Sequence, residues 1–226
     1  MLLKNSVLYA DTKYQYYYGE IESGPDYVFD GPCERTFYCT EGYATIDAIK
    51  ITAGDTIDVK NRKFIVYGKA KFYIAQAPSI DNTPYTEFTG RGDHYKVTKP
   101  WGYELWLNGE HPRYAFKVIH ITAGNQCSLQ YHNFKEETIV MYKGIASWIY
   151  KSNDLVDNDN VTIDDLDSEP FIAGQFHHVT PKTLHRVRAV TDITMLEVST
   201  PYLDDVIRVQ DDRGRPNGKI ESEHKA

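Results

Sequence analysis

The sequence predicts an all-β protein built as a sandwich or barrel. Short segments rich in β-branched and aromatic residues recur along the chain, and glycines separate many of them. Tyrosine occurs 18 times and aromatic residues make up 13% of the chain, which favours strands over helices. Apolar residues with helical spacing do not extend over any long stretch, and only residues 202–208 are compatible with a short helical turn.

The clearest strand signals fall into two sets, and this suggests two halves. Residues 64–67 and 71–74 belong to the first set, and residues 116–121 and 138–142 belong to the second. An Ile-Thr-Ala-Gly word ends a predicted strand in each half, which is weak evidence of a duplication.

The predicted boundaries follow from where these signals and the turn residues lie. Residues 1–78 form the first half, 79–98 a turn-rich connector, 99–215 the second half and 216–226 a flexible polar tail.

Composition narrows the function classes. The chain has 226 residues, of which 41% are hydrophobic and 25% charged, which is an ordinary globular balance. A formal net charge of −7 argues against a nucleic-acid binder, and no apolar run approaches the ~20 residues of a membrane span. Three cysteines are too few for a disulfide scaffold, so we expect a cytoplasmic protein with no membrane partner.

The strongest chemical signal is the pattern Gly124-x5-Gln130-x-His132-x4-Glu137-x6-Gly144. Gln130 and His132 are two apart and would share one face of a strand, and Glu137 can return from the next strand. A single histidine on a strand is more often a hydrogen-bonded core or surface residue, so the joint pattern carries the argument.

His185 is the fourth candidate ligand, and nearby His178 either lines the same cavity or lies on the surface. Two nitrogen and two oxygen donors suit zinc, with iron or manganese as alternatives. The sequence therefore predicts a divalent metal held by Gln130, His132, Glu137 and His185.

Several words occur in the same order around this pattern: KPWG at 99–102, SLQYH at 128–132, EV at 197–198, DDVIR at 204–208 and DRGR at 212–215. Together they resemble the cupin superfamily, and within it the C-terminal (type II) phosphomannose isomerase domain. The resemblance covers residues 97–215. It implies a jelly-roll β-barrel at 99–215 and a degenerate cupin-like half at 1–78, which makes the chain a bicupin.

The resemblance implies a metal-dependent aldose–ketose isomerase that acts on a sugar phosphate. Such an enzyme moves a proton between adjacent carbons through an ene-diolate, and a divalent metal stabilises the developing oxygen charge. Residues 133–136 depart from the family's histidine-rich, arginine-containing stretch, which leaves open a substrate other than mannose 6-phosphate.

The candidate bases are Lys117 and Glu197. Lys117 shares strand parity with Ile119 and Ile121, and it either lines the barrel or snorkels on the outer face.

Lys99 and Arg208 match family positions and are candidates for binding the substrate phosphate, and Arg208 is also a catalytic candidate. Trp101 either walls the pocket or is a core tryptophan.

Two other functions remain open at this level. One is a different metallo-cupin enzyme of the iron oxygenase type, since two histidines and a carboxylate suit iron(II) and oxygen. The other is a non-catalytic saccharide-binding bicupin. The expected partner is a small-molecule sugar phosphate, and the resemblance also allows a homodimer.

Overall fold

The computed structural model describes residues 4–22, 27–109, 111–151 and 166–224. The chain divides into two compact units. Unit 1 comprises Met1–Tyr95 and Trp106–Phe116, and unit 2 comprises Lys96–Leu105 and Lys117–Ala226. These boundaries differ from the expected ones, because residues 79–98 are predicted as a connector but contain strands, one of which pairs within unit 1.

Strands account for almost all regular structure of the described residues. The first eight are β1 (Lys4–Ala10), β2 (Gln15–Ile21), β3 (Tyr27–Phe29), β4 (Cys33–Ile46), β5 (Ile49–Thr52), β6 (Thr56–Lys60), β7 (Phe64–Pro78) and β8 (Tyr85–Thr89). The others are β9 (Tyr95–Lys99), β10 (Gly102–Trp106), β11 (Ala115–Ile121), β12 (Leu129–Tyr131), β13 (Glu137–Lys143), β14 (Ile145–Lys151), β15 (Asp167–Ile172), β16 (Phe176–Val179), β17 (Leu184–Ala189), β18 (Ile193–Ser199) and β19 (Ile207–Gln210). The predicted all-β class is confirmed.

Unit 1 is built on one antiparallel sheet in the order β1-β2-β7-β4-β6-β8, with β3 added to β7 and β5 to β4. Alternate residues of β4, β6 and β7 enter an apolar cluster that contains Phe29, Phe37, Phe64 and Phe72. The Phe29 and Phe64 rings stack with centroids 5.0 Å apart. Aromatic and aliphatic side chains therefore fill the core of this unit.

Unit 2 carries two sheets, ordered β16-β13-β18-β11-β10-β9 and β15-β14-β17-β12-β19. Its core cluster draws Ile119, Ile139 and Met195 from the first sheet and Trp148 and Val187 from the second. Inward-facing residues from both sheets of a sandwich form such a core.

The turn between β13 and β14 depends on Gly144. Its φ of +98° lies in the region that residues with side chains rarely adopt, and an added Cβ would clash with the carbonyl oxygen of Asp192. The glycine that closes the sequence pattern is therefore required by backbone geometry.

The tail expected to be flexible, 216–226, makes specific contacts where the structure describes it, up to residue 224. The segment includes a 3-10 helix, Glu221–Glu223, and Glu223 forms ion pairs with Lys99 and Arg215. The fixed charges explain why this polar stretch is held against unit 2. Residues 225–226 lie outside the described part of the chain.

Within the described residues, no helix has the length and apolar character needed to cross a bilayer.

Candidate metal centre

Three of the predicted ligands meet in the interior of unit 2. Glu137 begins β13, His185 lies on β17 and His132 follows β12. Their ligand atoms all lie within 4.8 Å of one another, and the three residues are at most 2% exposed. Among the described residues this is the only such group of three histidine, cysteine or acidic side chains.

Backbone carbonyls set the tautomer of both histidines. The Nδ1 atom of His132 contacts the carbonyl oxygen of Asp205, and Nδ1 of His185 lies 3.0 Å from the carbonyl oxygen of Thr183. A carbonyl only accepts, so each Nδ1 carries the proton and donates it. In the neutral imidazole, each Nε2 atom then presents a lone pair.

Both lone pairs are directed at one carboxylate. The Nε2 atom of His185 lies 2.9 Å from Oε1 of Glu137, and Nε2 of His132 lies 3.5 Å from Oε2. The His132 Nε2 atom is buried and has no hydrogen-bond partner. A cation bound among them would relieve the repulsion between these nitrogen lone pairs and the buried carboxylate, and His/carboxylate ligands held by backbone carbonyls are a typical divalent-metal environment. The residues therefore fit a divalent ion.

The fourth predicted ligand, Gln130, lies beside this group. It is the cross-strand partner of His185 in the β12–β17 pair, so the two side chains share a sheet face. The Ser128 hydroxyl donates to Oε1 of Gln130 at 2.7 Å, which fixes the amide oxygen and leaves it a second lone pair.

A buried lysine completes the charge balance of the site. The ammonium of Lys135 donates to Oε2 of Glu137 and, at 2.9 Å, to Oε1 of Glu197. Burial acts to raise the pKa of Glu137, but the charge of Lys135 lowers it, and it ends well below its ordinary value. Burial acts to lower the pKa of Lys135, but the two carboxylates raise it above its ordinary value. Glu137 is thus an anion, ready to bind a cation.

Asp205 holds the loop that carries Lys135. Its carboxylate accepts hydrogen bonds from the backbone N–H groups of Asn133, Phe134 and Lys135 at 2.6–2.9 Å. Burial acts to raise the pKa of Asp205, but these three donors lower it. The backbone carbonyl of Asp205 also accepts from His132. Asp205 therefore holds both His132 and the loop that connects it to Glu137.

The two candidate bases, Glu197 and Lys117, have different surroundings in the structure. Glu197 pairs with Lys135, which also pairs with the predicted ligand Glu137. Lys117 is buried, as expected if its strand face lines the barrel, but its ammonium pairs with Glu104 at 3.8 Å.

The predicted substrate-binding residues make other contacts in the structure. Lys99 pairs with Glu223 at 2.9 Å and Glu104 at 3.6 Å. The Arg208 guanidinium donates to the carbonyl oxygens of residues 216 and 218. Trp101 is buried in the core cluster of unit 2, as the core interpretation expects.

Sequence reasoning missed an aromatic stack beside the ligands. The Trp148 ring stacks on His185, with centroids 5.7 Å apart, and on His177, with centroids 4.3 Å apart. His178 instead bonds Thr138, which follows Glu137 on β13, so both face away from the site. A tryptophan in a strand carries no spacing signal, because only the β14–β17 pairing brings it to His185.

No protein-family model matches the sequence, and no curated protein matches it. Solved structures do match. They include a Pseudomonas aeruginosa protein described as glyoxylate-induced (TM-score 0.67, 12% identity, 88% of this chain and 79% of that one). Oxalate decarboxylase from Lactobacillus farciminis, in complex with formate, matches with TM-score 0.65 and 12% identity over 87% of this chain and 79% of that one.

Oxalate decarboxylase from Bacillus subtilis, studied for its Mn(II) centres, matches with TM-score 0.64 and 10% identity over 87% of this chain and 71% of that one. The chain described here therefore has the cupin fold. Each of the three matches spans enough of the chain to include residues of both units. At 10–12% identity the likeness establishes the fold, and the phosphomannose isomerase resemblance stays a prediction.

Proposed function

We propose that this cupin is a metal-dependent enzyme whose active site lies inside unit 2. The observation that carries the proposal is the convergence of two histidine Nε2 lone pairs on the buried Glu137 carboxylate. The solved structures support it, because they include an oxalate decarboxylase with Mn(II) centres.

The reaction we propose is aldose–ketose isomerisation of a sugar phosphate. The sequence words at 99–102, 128–132 and 204–208 support this choice, because they resemble the phosphomannose isomerase domain. His132, Glu137 and His185, with Gln130 beside them, would hold the ion. A divalent ion bound there supplies a Lewis acid that polarises a sugar carbonyl.

The chain's own residues then move the proton. Glu197 is the candidate base that is linked to the proposed ligands, since Lys135 donates to both Glu197 and Glu137. A carboxylate there can take a proton from one carbon and return it to the next. Lys135 holds both carboxylates in place, and the apolar walls at Trp148 and Ile139 exclude water from the reacting centre.

Metal binding tests the first part of the proposal. We expect purified protein to bind Zn2+, Mn2+ or Fe2+ at one site, with zinc as the expected ion. His132→Ala should weaken binding by more than about 100-fold, because even second-shell changes cost 10–100-fold. His178→Ala is the matched control, because His178 lies on the opposite strand face. Equal metal affinity of the two variants would refute the assignment.

Turnover tests the second part. Metal-loaded protein should interconvert an aldose phosphate and its ketose in a panel that includes mannose 6-phosphate. Glu197→Gln should abolish turnover while metal affinity stays within a few-fold. If no sugar phosphate is interconverted while metal binds tightly, the isomerase proposal fails and the metal site stands.

A second candidate is another metallo-cupin reaction on a small substrate. Two histidines and one carboxylate are typical of iron(II) sites that use oxygen, and the similar oxalate decarboxylase structures favour a small carboxylate. Oxygen uptake or release of CO2 from oxalate with iron or manganese, and none with zinc, would favour this candidate over the isomerase.

A further inference from the structure

A second cluster of charged side chains lies in unit 2 and is separate from the ligand triad. Six of them form a chain of ion pairs with alternating sign, in the order Lys117, Glu104, Lys99, Glu223, Arg215, Asp211. The strands β9, β10 and β11 supply the first three, and these strands are adjacent in one sheet. The side chains are only 5–13% exposed, so water screens their charges weakly.

Glu223 is the central link of this chain and the only member from the C-terminal segment, defined as residues 216–224. Its carboxylate lies 2.9 Å from Nζ of Lys99 and 3.1 Å from Nη1 of Arg215. Three hydrogen bonds near Arg208 fix the start of the segment. Arg208 donates from its side chain to the carbonyl of Gly218 and from its N–H to Asn217, and the Gly218 N–H donates to the carbonyl of Val206.

Without Glu223 the cluster would be strongly cationic. The ion pairs that remain would join three cations (Lys99, Lys117 and Arg215) to two carboxylates (Glu104 and Asp211), and Arg208 adds a fourth positive charge near Arg215 and Glu104. The Nε atom of Arg208 is already buried without a hydrogen-bond partner, so the cluster contains an unsatisfied N–H donor. Buried cations with too few anions are costly, and an oxyanion offers the acceptors that they need.

We propose that this cluster is an oxyanion-binding site that takes the phosphate or carboxylate group of a small ligand, and that Glu223 occupies it as an intramolecular substitute. The C-terminal segment is then a displaceable strap. A ligand's oxyanion and the Glu223 carboxylate compete for Lys99 and Arg215. This inference rests on the proposed function only where it takes the ligand to be the substrate. Anion binding itself needs neither metal nor turnover.

The competition has a measurable size. A tethered group acts at an effective concentration in the millimolar range or above, so a free anion must exceed this to displace it. Removing the charge of Glu223 should therefore raise the affinity for a free oxyanion by about tenfold or more.

Calorimetry on metal-free, full-length protein tests this with inorganic phosphate as the probe and acetate as the carboxylate arm. Glu223→Gln should bind phosphate at least about tenfold more tightly than wild type, and Lys99→Met in the same background should cancel the gain. Glu221→Gln is the matched control, since Glu221 is exposed on the same 3-10 helix. Equal phosphate affinity of Glu223→Gln and Glu221→Gln would overturn the proposal. Acetate binding by Glu223→Gln would extend the site to carboxylates, and its absence would assign the site to phosphate.

Hydrogen exchange on wild-type protein tests the strap without any substitution. The amides of Gly218, Glu223 and His224 are hydrogen-bonded, and all three should exchange faster when phosphate is saturating. Phosphate binding that leaves their exchange unchanged would overturn the proposal, even if Glu223→Gln does not fold. Because no metal is present, neither result depends on whether the isomerase proposal holds.

Discussion

Replacing Lys135 with methionine should destabilise metal-free protein and make its stability depend on metal. The substitution keeps the apolar stem but removes the charge that separates two buried carboxylates, those of Glu137 and Glu197. At 2.9 Å and an effective dielectric of about 20, the attraction between Lys135 and Glu197 alone is about 6 kcal/mol before desolvation. Breaking a buried pair by removing one partner costs about 3–5 kcal/mol.

Urea unfolding followed by tryptophan fluorescence, with chelator and with added Zn2+ or Mn2+, measures the effect. We expect the free energy of unfolding of Lys135→Met to be about 3–5 kcal/mol lower than that of wild type in chelator. Added metal should stabilise the variant more than it stabilises wild type, because the ion replaces the missing cation beside Glu137. Lys143→Met is the matched control, because Lys143 is exposed at the far end of β13, the strand that begins two residues after Lys135. The reasoning is refuted if both variants lose the same stability in chelator, or if metal stabilises Lys135→Met no more than wild type.

Three further outcomes are expected. Asp205→Ala should weaken metal binding about tenfold or more in a calorimetric titration, because it frees the loop between His132 and Glu137. Burial raises the pKa of Asp58 from 3.8 to about 7. The folded state holds this proton more tightly, so its contribution to stability is complete below pH 3.8 and is lost as the pH rises through about 7. Asp58→Asn should remove up to about 4 kcal/mol of that pH dependence in urea unfolding, and a slope equal to that of wild type would contradict this. Gly144→Ala should lower the free energy of unfolding by more than about 1 kcal/mol, and with it the thermal midpoint, because of the positive φ of residue 144 and the nearby Asp192 carbonyl. An unchanged midpoint would exclude that strain.

Local patterns in the sequence were enough to predict the fold class and most of the candidate ligands. Gln130, His132 and Glu137 lie within eight residues, so strand parity and one turn were enough to place them near each other. His185 is 53 residues beyond His132, and no local spacing connects the two, because the pairing of β12 with β17 brings His185 to this site. The phosphomannose isomerase resemblance itself stays a prediction.

The charges around the ligands could not be read in the same way. Lys135 sits in a loop and looks like an ordinary surface lysine, because its burial depends on Glu197 arriving from β18, 62 residues later. The C-terminal segment looks flexible from its polar composition, yet Glu223 finds Lys99, which is 124 residues earlier. Pairing between residues far apart in sequence leaves no periodic signal, so composition alone could not predict these contacts.

The indole of Trp148 lies nearly parallel to two imidazoles, at interplanar angles of 5° and 18°, and one of these belongs to the predicted ligand His185. The protein thereby carries its own optical reporter of what is bound. A paramagnetic ion held by His185 would quench the emission of this indole, whereas a closed-shell ion such as zinc would leave it bright, so a single fluorescence titration would separate two classes of native metal.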